Sequence, residues 1–367
     1  MVYQVEVDFG FTVGPVMPAD QEGAAGDGQR YAEMIDDCRF GHSLGFSSVW
    51  SLEHHFTDYY PSPSPLTFLS HVAGACPGLG LGACVIVLPW YEPVRFAEDV
   101  AMISLLSDAD LHLGLGRGVA KIEYDARNLD MGHSRELFKE VYEIADGLLT
   151  GQPFKYDGNH FTIPRDISLR PGPNRDRIHM YGAVNNPGTA ERMAEMGLVI
   201  MCTSASPFQQ NADSIKAWKR VIAAKGGKTD VNIPLWAHCF IGDTEEEAKE
   251  EATEYLVNFF RSVIDHYETY LNPWQGMDTY EHNVEQMQRM EAMADPANIP
   301  PFLEHQLVGT PKQVADKVAQ YAAIGITQLA INTAQPGRPL ENRRASMERF
   351  AREVAPEFST DFVVAAE

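Results

Sequence analysis

The chain has few cysteines and lacks any long apolar run. Its five cysteines are widely scattered and form no Cys-x-x-Cys pair, which argues against a zinc site or a redox pair. We therefore expect free, mostly buried thiols and no bound metal. No apolar stretch approaches the roughly 20 residues that a membrane-spanning helix needs, and the N-terminus does not resemble a signal peptide. These features predict a cytoplasmic protein without a membrane partner.

Positive charge is also scarce. The 29 Lys and Arg residues stand against 51 Asp and Glu residues, and the formal net charge is -22. Nucleic acid and anionic membranes are poor partners for such a surface. The 367 residues are 44% apolar, which is enough for a large core, and the pattern described next favours a single domain over residues 1–367.

Apolar runs typical of strands alternate with stretches typical of helices along most of the chain. Alternation of this kind, with eight strands, predicts a parallel (β/α)8 TIM barrel, and a doubly wound sheet is the alternative. The predicted strands are Val5–Val13, Ser48–Leu52, Leu81–Leu88, Leu111–Leu115, Ile178–Gly182, Val199–Thr203, Pro234–Ile241 and Ile326–Asn332. The predicted helices are Tyr31–Leu44, Leu66–Ala75, Pro93–Leu106, Arg135–Leu149, Gly188–Met196, Gln209–Ala224, a long acidic helix from Glu245 to about Tyr270, Pro311–Ala323 and Asn342–Val354.

Two segments interrupt the alternation. Residues 151–177 have the pattern of a small hairpin that turns at Asp157-Gly158, and we interpret them as an insertion. Residues 272–306 are rich in Pro, Met and polar residues and precede the last helix-strand unit. Long segments of this kind are often active-site lids, so we expect a lid over an apolar substrate; the alternative is a helix-and-loop extension with exposed methionines.

The end of the second predicted strand carries Glu53, His54 and His55. Neighbouring side chains on a strand point to opposite faces, so the two histidines should point in different directions. Histidine titrates near neutral pH, which suits a general acid or base. The alternative is a pair of structural histidines, one of them hydrogen-bonded to Glu53. In a barrel, this strand end lies on the face that carries active sites.

A candidate phosphate site follows the fourth and fifth predicted strands. Gly116-Arg117-Gly118 is not a dinucleotide fingerprint, because Val119 stands where the last glycine should be. Its arginine can anchor a phosphate, although a tight turn with a surface arginine fits equally well. Asn185, Asn186 and Thr189 precede or begin a helix, whose N-terminus can bind an anion or simply be capped. Neighbouring strands would bring the two loops to one phosphate from both sides.

Four motifs in this order resemble the bacterial luciferase-like flavin monooxygenases, and the resemblance covers nearly the whole chain. They are Trp50–Thr57, Val87–Pro89 with Pro93–Asp99, Gly114–Gly118, and Val308–Pro311. The resemblance implies a barrel that binds reduced FMN supplied by a separate flavin reductase. With O2 it would form a peroxyflavin and oxygenate a small apolar substrate such as an aldehyde or ketone.

The resemblance also assigns roles to individual residues. His54 would assist catalysis beside the flavin, and His55 would support the site. A non-proline cis peptide under the flavin ring would fall at Cys84-Val85. The residues implied in cofactor binding are Glu53, Cys84, Val85, Gly116, Arg117, Asn185, Asn186 and Thr189.

The sequence departs from the luciferase pattern in two places. Gly116 stands where catalytic luciferase subunits have a cysteine beside the flavin, which argues against light emission. Asn185 and Asn186 replace a Glu and a Ser. Two other functions stay open: a deazaflavin-dependent oxidoreductase on the same fold, and a flavin-binding, non-catalytic partner subunit. Luciferase-like proteins commonly pair, so the resemblance also implies a homodimer.

Overall fold

The structure is a computed structural model that describes residues 6–15, 24–359 and Phe362. Within these ranges the strands are β1 Asp8–Thr12, β2 Ser48–Ser51, β3 Gly80–Val87, β4 Leu111–Gly116, β5 Phe154–Asp157, β6 Thr162–Ile167, β7 Ile178–Ala183, β8 Val199–Thr203, β9 Pro234–Ile241, β10 Leu307–Gly309 and β11 Gln328–Asn332. Eight of them pair in parallel in the closed order β1-β2-β3-β4-β7-β8-β9-β11, and β11 pairs back with β1. The (β/α)8 barrel is confirmed, and the doubly wound alternative is wrong. All eight predicted barrel strands are present, although residues 1–5, which include the start of the first, lie outside the described residues.

Helices surround the barrel. Their bounds are α1 Ala24–Ser43, α2 Pro65–Ala75, α3 Pro93–Leu106, α4 Lys121–Ala126, α5 Ser134–Leu148, α6 Pro187–Glu195, α7 Phe208–Ala224, α8 Glu245–Tyr267, α9 Glu281–Ala292, α10 Pro300–Leu303, α11 Pro311–Ile324 and α12 Leu340–Arg349. The prediction was wrong about the start of α1, because its first turns are mostly small or polar and the apolar periodicity begins only at Tyr31. It also missed α4, which has six residues and no room for a helical repeat.

The hairpin predicted in residues 151–177 is present. Strands β5 and β6 pair antiparallel, and the carboxylate of Glu140 on α5 accepts hydrogen bonds from the main-chain N–H groups of Asn159, His160 and Phe161 at 2.8, 2.9 and 3.0 Å. Main-chain groups in a tight turn need such partners. The hairpin is therefore fixed to the helix that precedes it.

Residues 272–306 pack against the loop after β4. The indole N–H of Trp274 donates to the carbonyl of Val119 at 2.8 Å, and the hydroxyl of Tyr280 donates to the carbonyl of Gly118 at 3.0 Å. Met287 is only 5% exposed. The alternative of exposed methionines is thus wrong for Met287, and the segment contributes to the walls of the cavities described below. The sequence did not predict β10, a three-residue strand that extends the edge of β9.

The cysteines agree with the prediction of free thiols. Cys38, Cys76, Cys202 and Cys239 are buried, Cys84 is half-buried, and none forms a disulfide. No helix among the described residues has both the length and the apolar character required to span a bilayer.

Candidate active site

Two adjoining cavities lie at the C-terminal ends of the barrel strands. The inner cavity, of about 280 Å³, is mostly apolar, and His54, Cys84, Val85, Trp236 and His238 are among its lining residues. The outer cavity, of about 550 Å³, is more polar and reaches the start of α6. The two cavities share the lining residues Ala205, Phe260, Met290 and Phe302. A ligand with an apolar ring and a polar tail therefore has continuous space across both.

The two adjacent histidines point to different surroundings, as predicted. His54 is half-buried and lines the inner cavity, and its ring centroid is 4.9 Å from that of His266 on α8. His55 is 6% exposed, packs edge-on against Trp90 at 5.2 Å, and contacts the guanidinium of Arg127 through both ring nitrogens at 3.1 and 3.2 Å. Of these two histidines, His54 lines the inner cavity and His55 does not.

Glu53 joins the end of β2 to the turn after β3. One carboxylate oxygen accepts from the main-chain N–H of Val87 at 2.7 Å, and the other accepts from the Tyr91 hydroxyl at 2.9 Å and lies 3.4 Å from His55 Nε2. Burial raises the pKa of Glu53, and these hydrogen bonds oppose the rise. Both oxygens are engaged within the protein, so Glu53 positions its neighbours; its contact with a cofactor stays a prediction.

His54, Glu123 and His266 form a group that we call the His–Glu–His cluster. One nitrogen or oxygen atom from each residue lies within 4.8 Å of the others. Among the described residues, His54 Nδ1 and His266 Nε2 are buried without a hydrogen-bond partner, although the latter lies 3.4 Å from a Glu123 oxygen. His266 Nδ1 is 2.7 Å from the hydroxyl of Thr57, and Glu123 accepts from the main-chain N–H of His55 at 2.8 Å.

The surroundings of His54 set its protonation state. Burial holds the pKa of His54 well below its usual value, and the nearby imidazoles of His266 and His55 lower it further. The ring is consequently neutral at neutral pH and can accept a proton. Sequence analysis missed Glu123 and His266, because one lies on the short α4 and the other on a helix whose pattern is acidic and solvent-facing.

Strand β3, the neighbour of the strand that ends at the two histidines, is distorted where the resemblance placed a cis bond. The peptide bond between Cys84 and Val85 is cis, and the pairing of β3 with β4 shifts register between Ala83 and Ile86. A Cβ atom built on Gly116 would lie 2.5 Å from a methyl carbon of Val85. The Val85 side chain thus fills the space that a side chain at position 116 would need, which accounts for glycine at this position.

Arg117, which follows β4, interacts electrostatically with Arg135 and Arg192, and we call these three residues the arginine cluster. Arg117 is half-buried and donates to the Ser134 hydroxyl at 3.3 Å and to the carbonyl of Thr279 at 3.4 Å. Burial lowers the pKa of Arg117, and the charges of Arg135 and Arg192 lower it further. None of the three forms an ion pair with a carboxylate in the described part of the chain. Such a concentration of positive charge attracts anions, and their binding here stays a prediction.

The start of α6 faces the same region. The side-chain oxygen of Asn186 caps the helix by accepting from the Thr189 N–H at 2.9 Å, and Asn185 donates to Gln286 on α9 at 2.9 Å. Arg192 donates to the Thr189 hydroxyl at 3.0 Å and so connects the helix start to the arginine cluster. The structure therefore brings Arg117 and Thr189 to one electrostatic environment, with Arg135 and Arg192 as members that the sequence did not indicate.

A barrel with an apolar cavity at the C-terminal ends of its strands, lined by a neutral histidine, has the features of an enzyme active site. The family model for luciferase-like monooxygenases matches residues 11–328, and the chain belongs to this family. The family is one of flavin-dependent monooxygenases.

Two characterised relatives match most of the chain. The oxygenase component of a flavin-dependent trigonelline monooxygenase from Acinetobacter baylyi is 23% identical over 337 residues, which cover 90% of this chain and 91% of the relative. The alkanal monooxygenase alpha chain of Aliivibrio fischeri is 23% identical over 329 residues, covering 85% and 89%.

Solved structures share the fold. The oxygenating constituent of 3,6-diketocamphane monooxygenase from Pseudomonas putida, in complex with FMN, has a TM-score of 0.71 at 18% identity and covers 96% of this chain and 98% of its own. An F420-dependent secondary alcohol dehydrogenase has a TM-score of 0.73 at 13% identity and covers 96% and 99%. At these identities the similarity shows the fold alone.

Proposed function

We propose that this protein is the oxygenating component of a two-component monooxygenase. It would take reduced FMN from a separate flavin reductase and use O2 to insert one oxygen atom into a small apolar substrate, such as an aldehyde or a ketone. The observation that carries the proposal is the inner apolar cavity lined by His54, which continues into a polar cavity at the start of α6. The Acinetobacter relative is named an oxygenase component, which supports a system in which a separate protein reduces the flavin.

The residues present fit FMN. Its phosphate would be held by the arginine cluster together with Asn185, Asn186 and Thr189, which offer cations, amides and a helix N-terminus. Its ring would lie against Cys84 and Val85, which line the inner cavity. Reduced FMN supplies the electrons that activate oxygen.

The protein's own residues would then control protons and water. His54 is neutral and lines the cavity, so it can accept a proton from a reacting group. Aromatic and methionine side chains on α8, α9 and α10, among them Phe260, Met290 and Phe302, form an apolar wall. Excluding water in this way would suppress side reactions at the reacting centre.

A second candidate function is hydride transfer with a deazaflavin and without oxygen. It is favoured by the fold similarity to the F420-dependent alcohol dehydrogenase. The two functions differ in their need for oxygen and in the cofactor, and both can be tested on the same preparation.

The test is an anaerobic titration with reduced FMN, followed by rapid mixing with aerated buffer. We expect saturable binding and slower oxidation of the bound flavin than of free flavin, because the apolar cavity shields the ring. Absence of binding, or oxidation at the rate of free flavin under saturating protein, would refute the proposal. Reduction of F420 by an alcohol in the absence of oxygen would establish the second candidate instead.

A variant separates catalysis from a partner-subunit role. We expect His54→Ala to bind reduced FMN and to lose turnover, whereas a non-catalytic partner subunit would retain the activity of its assembly. The homodimer also stays a prediction, and sedimentation equilibrium of the purified chain tests it.

A further inference from the structure

His238 lies on the barrel strand directly opposite the distorted strand β3. In the closed order of eight strands, β9 is four strands away from β3 in either direction. The His238 ring lines the inner cavity and is 1% exposed. The rings of Trp236 and Phe259 lie 4.7 and 4.8 Å away, so its surroundings are apolar.

One ring nitrogen of His238 is held by two amide groups. Its Nδ1 lies 3.3 Å from the amide nitrogen of Asn332 and 3.1 Å from that of Gln335. Asn332 is the last residue of β11, and Gln335 follows it in the next loop. A nitrogen that accepts hydrogen bonds from N–H groups cannot itself carry a proton.

The orientations of the two amides are fixed by other partners. The side-chain oxygen of Asn332 accepts from the main-chain N–H of Ala334 at 3.0 Å, so its nitrogen must face the histidine. The nitrogen of Gln335 donates to the main-chain carbonyl of Asn332 at 2.7 Å, and its oxygen accepts from Arg338 at 3.2 Å. Neither amide can be reversed without opposing two donors or two acceptors.

The proton of the neutral ring is therefore on Nε2. Burial, together with the charge of Arg338, lowers the pKa of His238 to about 3, so the ring is neutral throughout the physiological range. Among the described residues Nε2 has no hydrogen-bond partner, and the ring lines the cavity. His238 thus presents a fixed N–H donor inside an apolar chamber. Trp236, two residues earlier on the same strand face, also lines the cavity, and its own N–H is buried without a partner in the described ranges.

We propose that His238 is a specificity-determining residue whose Nε2–H donates a hydrogen bond to an uncharged oxygen acceptor of the substrate, with Asn332 and Gln335 fixing the tautomer. The inference rests on the proposed function in taking this cavity as the substrate site. A substrate with a carbonyl oxygen on an apolar body satisfies the donor, whereas an ammonium group or a hydrocarbon leaves it unpaired. The position opposite β3, where the cofactor ring is proposed to lie, assigns the donor to the substrate and not to the cofactor.

Nitrogen NMR of protein labelled at the histidine rings tests the tautomer directly. The spectrum of a His238→Gln variant assigns the resonances. We expect an unprotonated Nδ1 and a protonated Nε2 from pH 6 to pH 8. A protonated Nδ1, or a ring that titrates in this range, would overturn the inference.

Ligand binding to the same sample tests the recognition. Cyclohexanone should shift the Nε2 resonance, and methylenecyclohexane, which replaces the carbonyl oxygen by a CH2 group, should not. Oxidised FMN, added separately, distinguishes the other possible acceptor. A shift of Nε2 with FMN but not with cyclohexanone would assign the donor to the cofactor and would refute the inference.

Gln335→Glu provides a variant that keeps the shape of the site. A carboxylate in place of the amide accepts a hydrogen bond from Nδ1 and removes one of the two donors that keep Nδ1 unprotonated, while Asn332 still donates. The tautomer protonated at Nδ1 should therefore become populated, and cyclohexanone should bind severalfold more weakly. Arg338 gives the new carboxylate a partner. Gln152→Glu, at an exposed position, carries the same charge change and should have no effect.

Binding of reduced FMN, measured in parallel, separates this inference from the proposed function. If Nδ1 of His238 is found protonated while reduced FMN still binds, only the role of His238 is overturned. Failure to bind FMN, with the ketone effect retained, would overturn only the proposed cofactor.

Discussion

Replacing Arg117 by alanine should weaken the binding of FMN and leave the binding of riboflavin unchanged. Arg117 is half-buried and has no carboxylate partner among the described residues; its donors meet a hydroxyl and a carbonyl oxygen. A phosphate would add one charged hydrogen bond, worth about 1.5–3 kcal/mol. The loss corresponds to a Kd about 10- to 150-fold higher. Riboflavin lacks the phosphate and should not respond.

The assay is fluorescence titration of each flavin, or anaerobic titration for the reduced forms, at two salt concentrations. Arg220→Ala is the matched control, because Arg220 is exposed and already paired with Glu191 on α6. Arg117→Lys should recover part of the affinity, since it keeps the charge but loses the planar fork.

Two results would refute this reasoning. Equal weakening of FMN binding and riboflavin binding would mean that Arg117 acts by ordering the loop after β4. There its guanidinium carbon lies 4.9 Å from the ring centroid of Tyr280. Unchanged FMN affinity would remove Arg117 from the phosphate site altogether.

Three further outcomes are expected. Burial lowers the pKa of His112 to about 4 from its usual 6.5. As the pH falls, His112 therefore gains a proton in the unfolded chain before it does in the folded protein. This difference has no effect on stability above pH 6.5 and destabilises the fold progressively towards pH 4. As the pH falls from 6.5 to 4, the free energy of unfolding, measured in urea, should decrease less in His112→Gln than in the wild type, by up to about 3 kcal/mol. The same pH dependence in both proteins would contradict the lowered pKa. Gly116→Cys should destabilise the protein by about 1–3 kcal/mol through its clash with Val85, and the double variant with Val85→Ala should recover the loss, as thermal unfolding would reveal. Treatment with a chelator should leave flavin oxidation unchanged, because the proposed role of His54 as a proton acceptor needs no ion; activity that is lost and then restored by a divalent cation would show that the His–Glu–His cluster binds a metal.

The sequence predicted the barrel because its strands are apolar runs separated by helical periodicity, and these features are local. It also predicted which strand ends carry polar side chains, since the geometry of the barrel gathers them on one face. Glu123 and His266 escaped prediction for a physical reason: they are 143 positions apart in the chain, and neither lies in a distinctive local pattern. Arg135 and Arg192 resemble ordinary helix-surface charges until folding places them beside Arg117.

The positions of these residues suggest a division of the barrel. The residues proposed to hold the cofactor lie on or after β2, β3, β4 and β7, which are consecutive strands of the closed sheet. His238 and its amide partners lie on or after β9 and β11, on the opposite side. Because the two sets share no described hydrogen bond, changes at β9 should alter substrate choice without altering affinity for FMN. The tautomer of His238 is then a property of the substrate half alone, and a variant such as Gln335→Glu should change the preferred substrate while the flavin titration stays the same.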